Sequence, residues 1–115
     1  MAASGQDLYL EMRDKFRVLE ASGEELGKRG EAAAKAERDY RVALAKKMLA
    51  ERDGGMPVTI LGDVCRGDEA IALLKLARDT ADALYKSLIE NINIYKLHIK
   101  IIENQIQREW GISKR

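Results

Sequence analysis

The sequence predicts an all-α protein: a long antiparallel helical hairpin with a short capping helix at its turn, bundled in an oligomer. Three observations carry that expectation. Apolar residues in the first half recur every seven positions. A turn signal, Asp53-Gly54-Gly55, sits near the middle of the 115 residues. The second half carries two apolar stripes, where a helix meeting one neighbour needs a single seam.

The first helix is expected over about residues 6–52. Met12, Leu19, Leu26, Ala33 and Tyr40 form one heptad line, and Phe16, Gly23, Gly30, Glu37 and Leu44 a second line four positions later. The middle is thin, with Gly23, Gly27 and Gly30 followed by Ala32, Ala33, Ala34 and Ala36. An interior glycine costs about 1 kcal/mol relative to alanine. Two readings compete there. A continuous helix keeps the register on both sides and lets small residues admit a close neighbour. A break near Ser22–Gly30 would use Ser22 and Glu25 as a capping box.

Asp53-Gly54-Gly55 stops that helix, and Pro57 suits a first helical position. A short helix is expected within about 57–66, with Val58, Ile60, Leu61, Val64 and Cys65 apolar and Gly67 ending it. Asp68 is a good N-cap for the last helix, about 68–110, with Glu69 in its first turn. Its spacing runs through Ile71, Leu74, Ala77, Ala81, Leu84 and Leu88, where the missing three-residue interval reads as a stutter. Gly111 is expected to stop it. The expected long helices have similar lengths, about 70 and 64 Å at ~1.5 Å per residue. The whole chain, residues 1–115, reads as one domain.

From Leu84 to Trp110 the apolar surface exceeds what one neighbour covers. Tyr85, Leu88, Ile92, Tyr95, Ile99, Ile102 and Ile106 keep an unbroken 3-4 spacing, and Ile89, Ile94, Leu97 and Ile101 lie on an adjoining face. A chain this small has little interior for its surface. The seven residues of the first stripe are therefore the expected oligomer interface, joining the protein to itself as a dimer or higher assembly. Asn91, Asn93 and Asn104 interrupt this region as polar residues that either set oligomer state or face solvent.

Charge excludes a global field. Twenty bases against nineteen acids give a net +1, so neither nucleic acid nor membrane is held by bulk electrostatics. Residues 84–115 hold six bases against three acids, a local bias that complements a helix C-terminus. Lys96, Lys100, Arg108, Lys114 and Arg115 are the candidate nucleic-acid contacts on that arm. No run approaches the ~20 apolar residues of a membrane span, and one cysteine suits a reducing compartment. The expectation is a cytoplasmic protein with no membrane partner.

No catalytic, cofactor-binding or metal residue is expected, and no cofactor. His98 and Cys65 are single and far apart in sequence, so no ligand or thiol–imidazole set forms. Cys65 reads as a small apolar filler and His98 as a boundary residue beside the apolar stripes. The glycines of the first helix do not sit between a strand and a helix, which removes a phosphate loop. Glu37 falls on the seam, where it can pair with a buried base from another helix and so fix register, or open to solvent.

Tyr40-Arg41-Val42-Ala43-Leu44, Gly55-Met56-Pro57-Val58-Thr59, Leu84-Tyr85-Lys86, Asn91-Ile92-Asn93 and Gln105-Ile106-Gln107-Arg108-Glu109-Trp110 resemble small helical proteins of phages and prophages of Gram-positive bacteria. The likeness spans roughly residues 38–110 and carries no catalytic residues. It implies a virus-derived accessory protein. The expected function is a non-enzymatic oligomeric scaffold or adaptor that displays its charged outer faces to another protein. The alternative is a nucleic-acid-binding accessory protein of phage replication or recombination.

Overall fold

The computed structural model describes residues 5–113, all of whose regular elements are helical: α1 (Gly5–Asp53), α2 (Val58–Arg66) and α3 (Glu69–Ser113). The long helix pair and the short helix between them match the expected element order. α1 does not break at Ser22–Gly30. Of its three central glycines, Gly23 and Gly27 have open space where a Cβ would sit, whereas Gly30 has the Tyr85 ring 3.1 Å from that point. Close approach therefore explains one glycine of three. α3 runs through Gly111 to Ser113 rather than stopping at the glycine.

The turn is built from backbone geometry. Met56 N–H donates to the Glu51 carbonyl at 3.1 Å and Gly55 N–H to that of Arg52 at 3.0 Å. Gly55 has φ +97°. This is a Schellman closure, which uses up orphan carbonyls at the end of α1 and needs a residue tolerant of positive φ. Pro57 stands one residue earlier than expected, at the N-cap of α2 with φ −59°. Gly67 ends α2 in a right-handed conformation and donates to the Asp63 carbonyl at 3.0 Å. Asp68 caps α3: its Oδ2 accepts the Ile71 N–H at 3.3 Å, which satisfies one of the free donors of the first turn.

The chain divides into two compact units. Unit 2 is Lys28–Tyr85. Within it α1 and α3 run antiparallel, as the contacts Lys47–Asp68, Glu37–Arg78 and Gly30–Tyr85 establish. Tyr40, Leu61, Cys65 and Ile71 form its core, and Cys65 has no exposed surface. Arg78 and Tyr85 turn inward, while Ala77 and Leu84 face out. The inward line is thus Ile71, Leu74, Arg78, Ala81, Tyr85, a regular 3-4 spacing that leads on to Leu88. The expected stutter disappears. Arginine can occupy such a site because its stem packs while its guanidinium finds a polar or aromatic partner.

Unit 1 comprises the chain up to Gly27 and from Lys86 onward. Leu8, Leu88, Ile92, Ile99 and Ile102 are its buried residues. α1 and α3 are again antiparallel, with the Lys15 ammonium 5.5 Å from the centroid of the Tyr95 ring. The second line expected on α1 is corrected here. Phe16 is 46% exposed and Gly23 is exposed, and Leu8, Lys15 and Ser22 turn inward in their place. In unit 2 Gly30, Glu37 and Leu44 do sit half-buried, as expected.

Candidate interaction surface

The seven residues expected to join copies are covered within the chain itself. Leu88, Ile92, Ile99 and Ile102 are buried, and Tyr85, Tyr95 and Ile106 half-buried. Tyr85 lies against Gly30 and Tyr95 beneath Lys15, so this seam belongs to α1. The other stripe is the open one. Ile94, Leu97 and Ile101 are exposed, and Ile89 is half-buried. Asn91, Asn93 and Asn104 also face solvent.

Unit 2 has a corresponding outer face, which the sequence reading passed over. On α3, Leu73, Leu76, Thr80 and Ala83 follow a 3-4-3 spacing, with Ala70, Ala77 and Leu84 running beside them at seven-residue intervals. All seven are exposed; Leu73 stands at 66%, Leu76 at 61% and Leu84 at 52%. No charged side chain interrupts this strip between Ala70 and Leu84. The signal was present in the sequence as an uncharged arc opposite the seam.

Beside the strip runs an ionic row. Lys75 Nζ meets Asp79 Oδ2 at 2.9 Å, and Arg78 Nε donates to Asp79 Oδ1 at 3.0 Å. The Lys75 and Arg78 hydrogen bonds, in that order, hold the Asp79 carboxyl below its usual range. The bond to Asp79 likewise raises Arg78 above its ordinary value. Glu37 completes the set, accepting from Arg41 Nε at 2.6 Å and lying 3.5 Å from Arg78 Nε. The seam carboxylate thus lies beside a half-buried base of the facing helix, where one reading of Glu37 had a buried one. Near the turn, Lys47 bonds Glu51 at 2.9 Å and approaches Asp68 at 3.8 Å, which raises its pKa, chiefly through the Glu51 hydrogen bond.

His98 is exposed and sets its ring edge-on to Tyr95, centroids 6.3 Å apart. It lines an open cleft in unit 1 with Glu11, Lys15, Ile101, Ile102 and Gln105, about 250 Å³ in volume. No group of three or more His, Cys, Asp or Glu side chains suited to a metal occurs among the described residues. No helix among them is long and apolar enough to cross a membrane. Lys96, Lys100 and Arg108 are exposed on α3. Lys114 and Arg115 lie outside the described residues.

The chain matches no protein-family model, no curated protein and no solved structure.

Proposed function

We propose that the protein is a non-enzymatic helical scaffold or adaptor that works by self-association, using outer faces of α3. The supporting observation is the uncharged strip of unit 2. Three leucines more than half exposed on one face over about three turns cost hydration free energy that pairing recovers, at about 25 cal/mol per Å² of apolar surface. Contiguous apolar patches on soluble chains commonly mark interaction sites. Ile94, Leu97 and Ile101 offer a second such patch in unit 1. The likeness to small phage-encoded helical proteins fits an accessory role of this kind in the cytoplasm.

Light scattering from 1 to 100 µM tests the reading. A mass that rises above 12.9 kDa with concentration supports it. A single 12.9 kDa species throughout overturns it. A second reading, nucleic-acid binding, rests on Lys96 and Lys100, exposed one helical turn apart. A gel shift with single- and double-stranded DNA that weakens as salt rises would favour it, since phosphate contacts release counterions.

A further inference from the structure

The geometry points to a binding site for a phosphate monoester on a small apolar body, in the cleft of unit 2 to which each helix contributes one arginine. Arg41 of α1, Arg66 of α2 and Arg78 of α3 line this open cleft, about 450 Å³ in volume. Tyr40, Leu44, Ala45 and Met48 complete its lining, and no carboxylate is among them. The volume lies within the range of small-molecule sites. Arg41, Leu44, Ala45 and Met48 follow the i, i+3, i+4, i+7 spacing of one helix face, so cation and apolar floor stand side by side. Every lining residue belongs to a single chain, so the inference goes beyond self-association and does not need it.

The arginines keep donors to give. A guanidinium carries five N–H groups. Arg41 spends Nε on Glu37 at 2.6 Å, and Arg78 spends Nε and Nη2 on Asp79, each at 3.0 Å. Arg66 approaches Asp63 only at 3.8 Å, beyond hydrogen-bond reach. Gly62 makes room for it: a Cβ there would stand 2.8 Å from Arg66 Nη1. Glycine inside a helix is costly against alanine, and what this one admits is the guanidinium. Arg78 is held in turn by lying over the Tyr40 ring. Guanidinium groups fork onto phosphate oxygens, of which a monoester presents three. Glu37, Asp63 and Asp79 pair with these arginines without lining the cleft. A phosphodiester chain running on past the cleft therefore meets carboxylates, and a compact anion does not.

Phenyl phosphate is the probe, with inorganic phosphate and phenol as its separated parts. Titration of isotope-labelled protein is expected to give saturable nuclear magnetic resonance shifts at Arg41, Arg66, Arg78 and Met48, each part alone binding at least tenfold more weakly. Arg66→Gln is expected to weaken phenyl phosphate at least fivefold with helicity unchanged, because its pair with Asp63 is long and exposed. Arg17→Gln, exposed in unit 1, is expected to leave the affinity as it was. A phosphotyrosine tetrapeptide separates the sources: affinity equal to phenyl phosphate assigns the cleft to free esters, and tighter binding to a phosphorylated protein segment. No saturable shift at millimolar probe overturns the inference, as does an equal loss in Arg66→Gln and Arg17→Gln. Inorganic phosphate that binds as tightly as the ester overturns it too. A single-stranded oligonucleotide that binds the same residues more tightly than phenyl phosphate overturns it in favour of nucleic acid. A chain that binds phenyl phosphate yet stays monomeric at every concentration upholds this inference and removes self-association.

Discussion

The Arg78 guanidinium lies over the Tyr40 ring, 4.5 Å from its centroid, and the same side chain reaches Asp79 and Glu37. One arginine on α3 thus joins the buried aromatic residue of α1 to two carboxylates. The planar cation serves both tasks, because it stacks on a ring and forks toward oxygens. Arg78→Lys is expected to keep charge and lose stacking, and Arg78→Ala to lose both and leave Glu37 with Arg41 alone. Thermal midpoints should fall in the order parent, Arg78→Lys, Arg78→Ala. Equal midpoints for the two variants would mean that stacking on Tyr40 contributes nothing.

The two ends of the turn carry separable contributions. Gly55→Ala places a Cβ at φ +97°, where an L-residue is strained by about 1–2 kcal/mol. Asp68→Ala removes the acceptor for Ile71 N–H, worth about 1 kcal/mol for an N-cap. Urea unfolding followed by helical circular dichroism measures both. Asp68→Asn should avoid most of the loss seen with alanine, since Asn caps as well as Asp.

Gly27→Ala is expected to stabilise the chain by about 1 kcal/mol, because the site is mid-helix and open. Gly30→Ala should gain less or lose, since its methyl would meet Tyr85 Cε2 at 3.1 Å. Denaturant midpoints of the two single variants decide; equal gains would remove any role for the close approach of Tyr85.

Aspartate at Ile99 or Ile102 is expected to unfold unit 1, because a carboxylate replaces a side chain no more than 7% exposed. The cost is ~4 kcal/mol or more, in the range of buried unpaired charges. Ile101→Asp, on the exposed face, should leave helicity unchanged. Far-ultraviolet circular dichroism separates these outcomes.

Acid and base act on different pairs. The Asp79 carboxyl is depressed in the folded chain, so its contribution is present above the unfolded carboxylate value and fades as pH falls through the folded one. Lys47 is raised, so its contribution persists at neutral pH and fades as pH climbs through its folded value, above the usual lysine range. Asp79→Asn should flatten the acid limb of a stability–pH profile, and Lys47→Met the alkaline limb. Unaltered limbs would show that neither bridge is linked to folding.

The helix order and the inward line of α3 from Leu88 to Ile106 were legible because isoleucine and leucine mark them at regular intervals. Two positions were not. Arg78 and Lys15 turn inward as amphipathic side chains, and a search for apolar letters favours Ala77 and Phe16 instead. Tyr85 was recognised on the stripe, yet Leu84 beside it produced a false break in spacing. The interface expectation erred in its premise, for it counted the apolar surface of α3 without subtracting what α1 covers. Once the Tyr85–Ile106 line is assigned to α1, the residues left open are Leu73, Leu76 and Leu84 in unit 2 and Ile94, Leu97 and Ile101 in unit 1. The Schellman closure at Gly55 was readable as a stop, though its positive φ required coordinates.

Helix α2 tucks only Leu61 and Cys65 inward, and the thiol is sealed from solvent. The single thiol therefore acts as a built-in clock for the mouth of unit 2: a thiol reagent can modify it only while α2 swings away. The labelling rate at saturating reagent would report how often that door opens in an otherwise intact molecule.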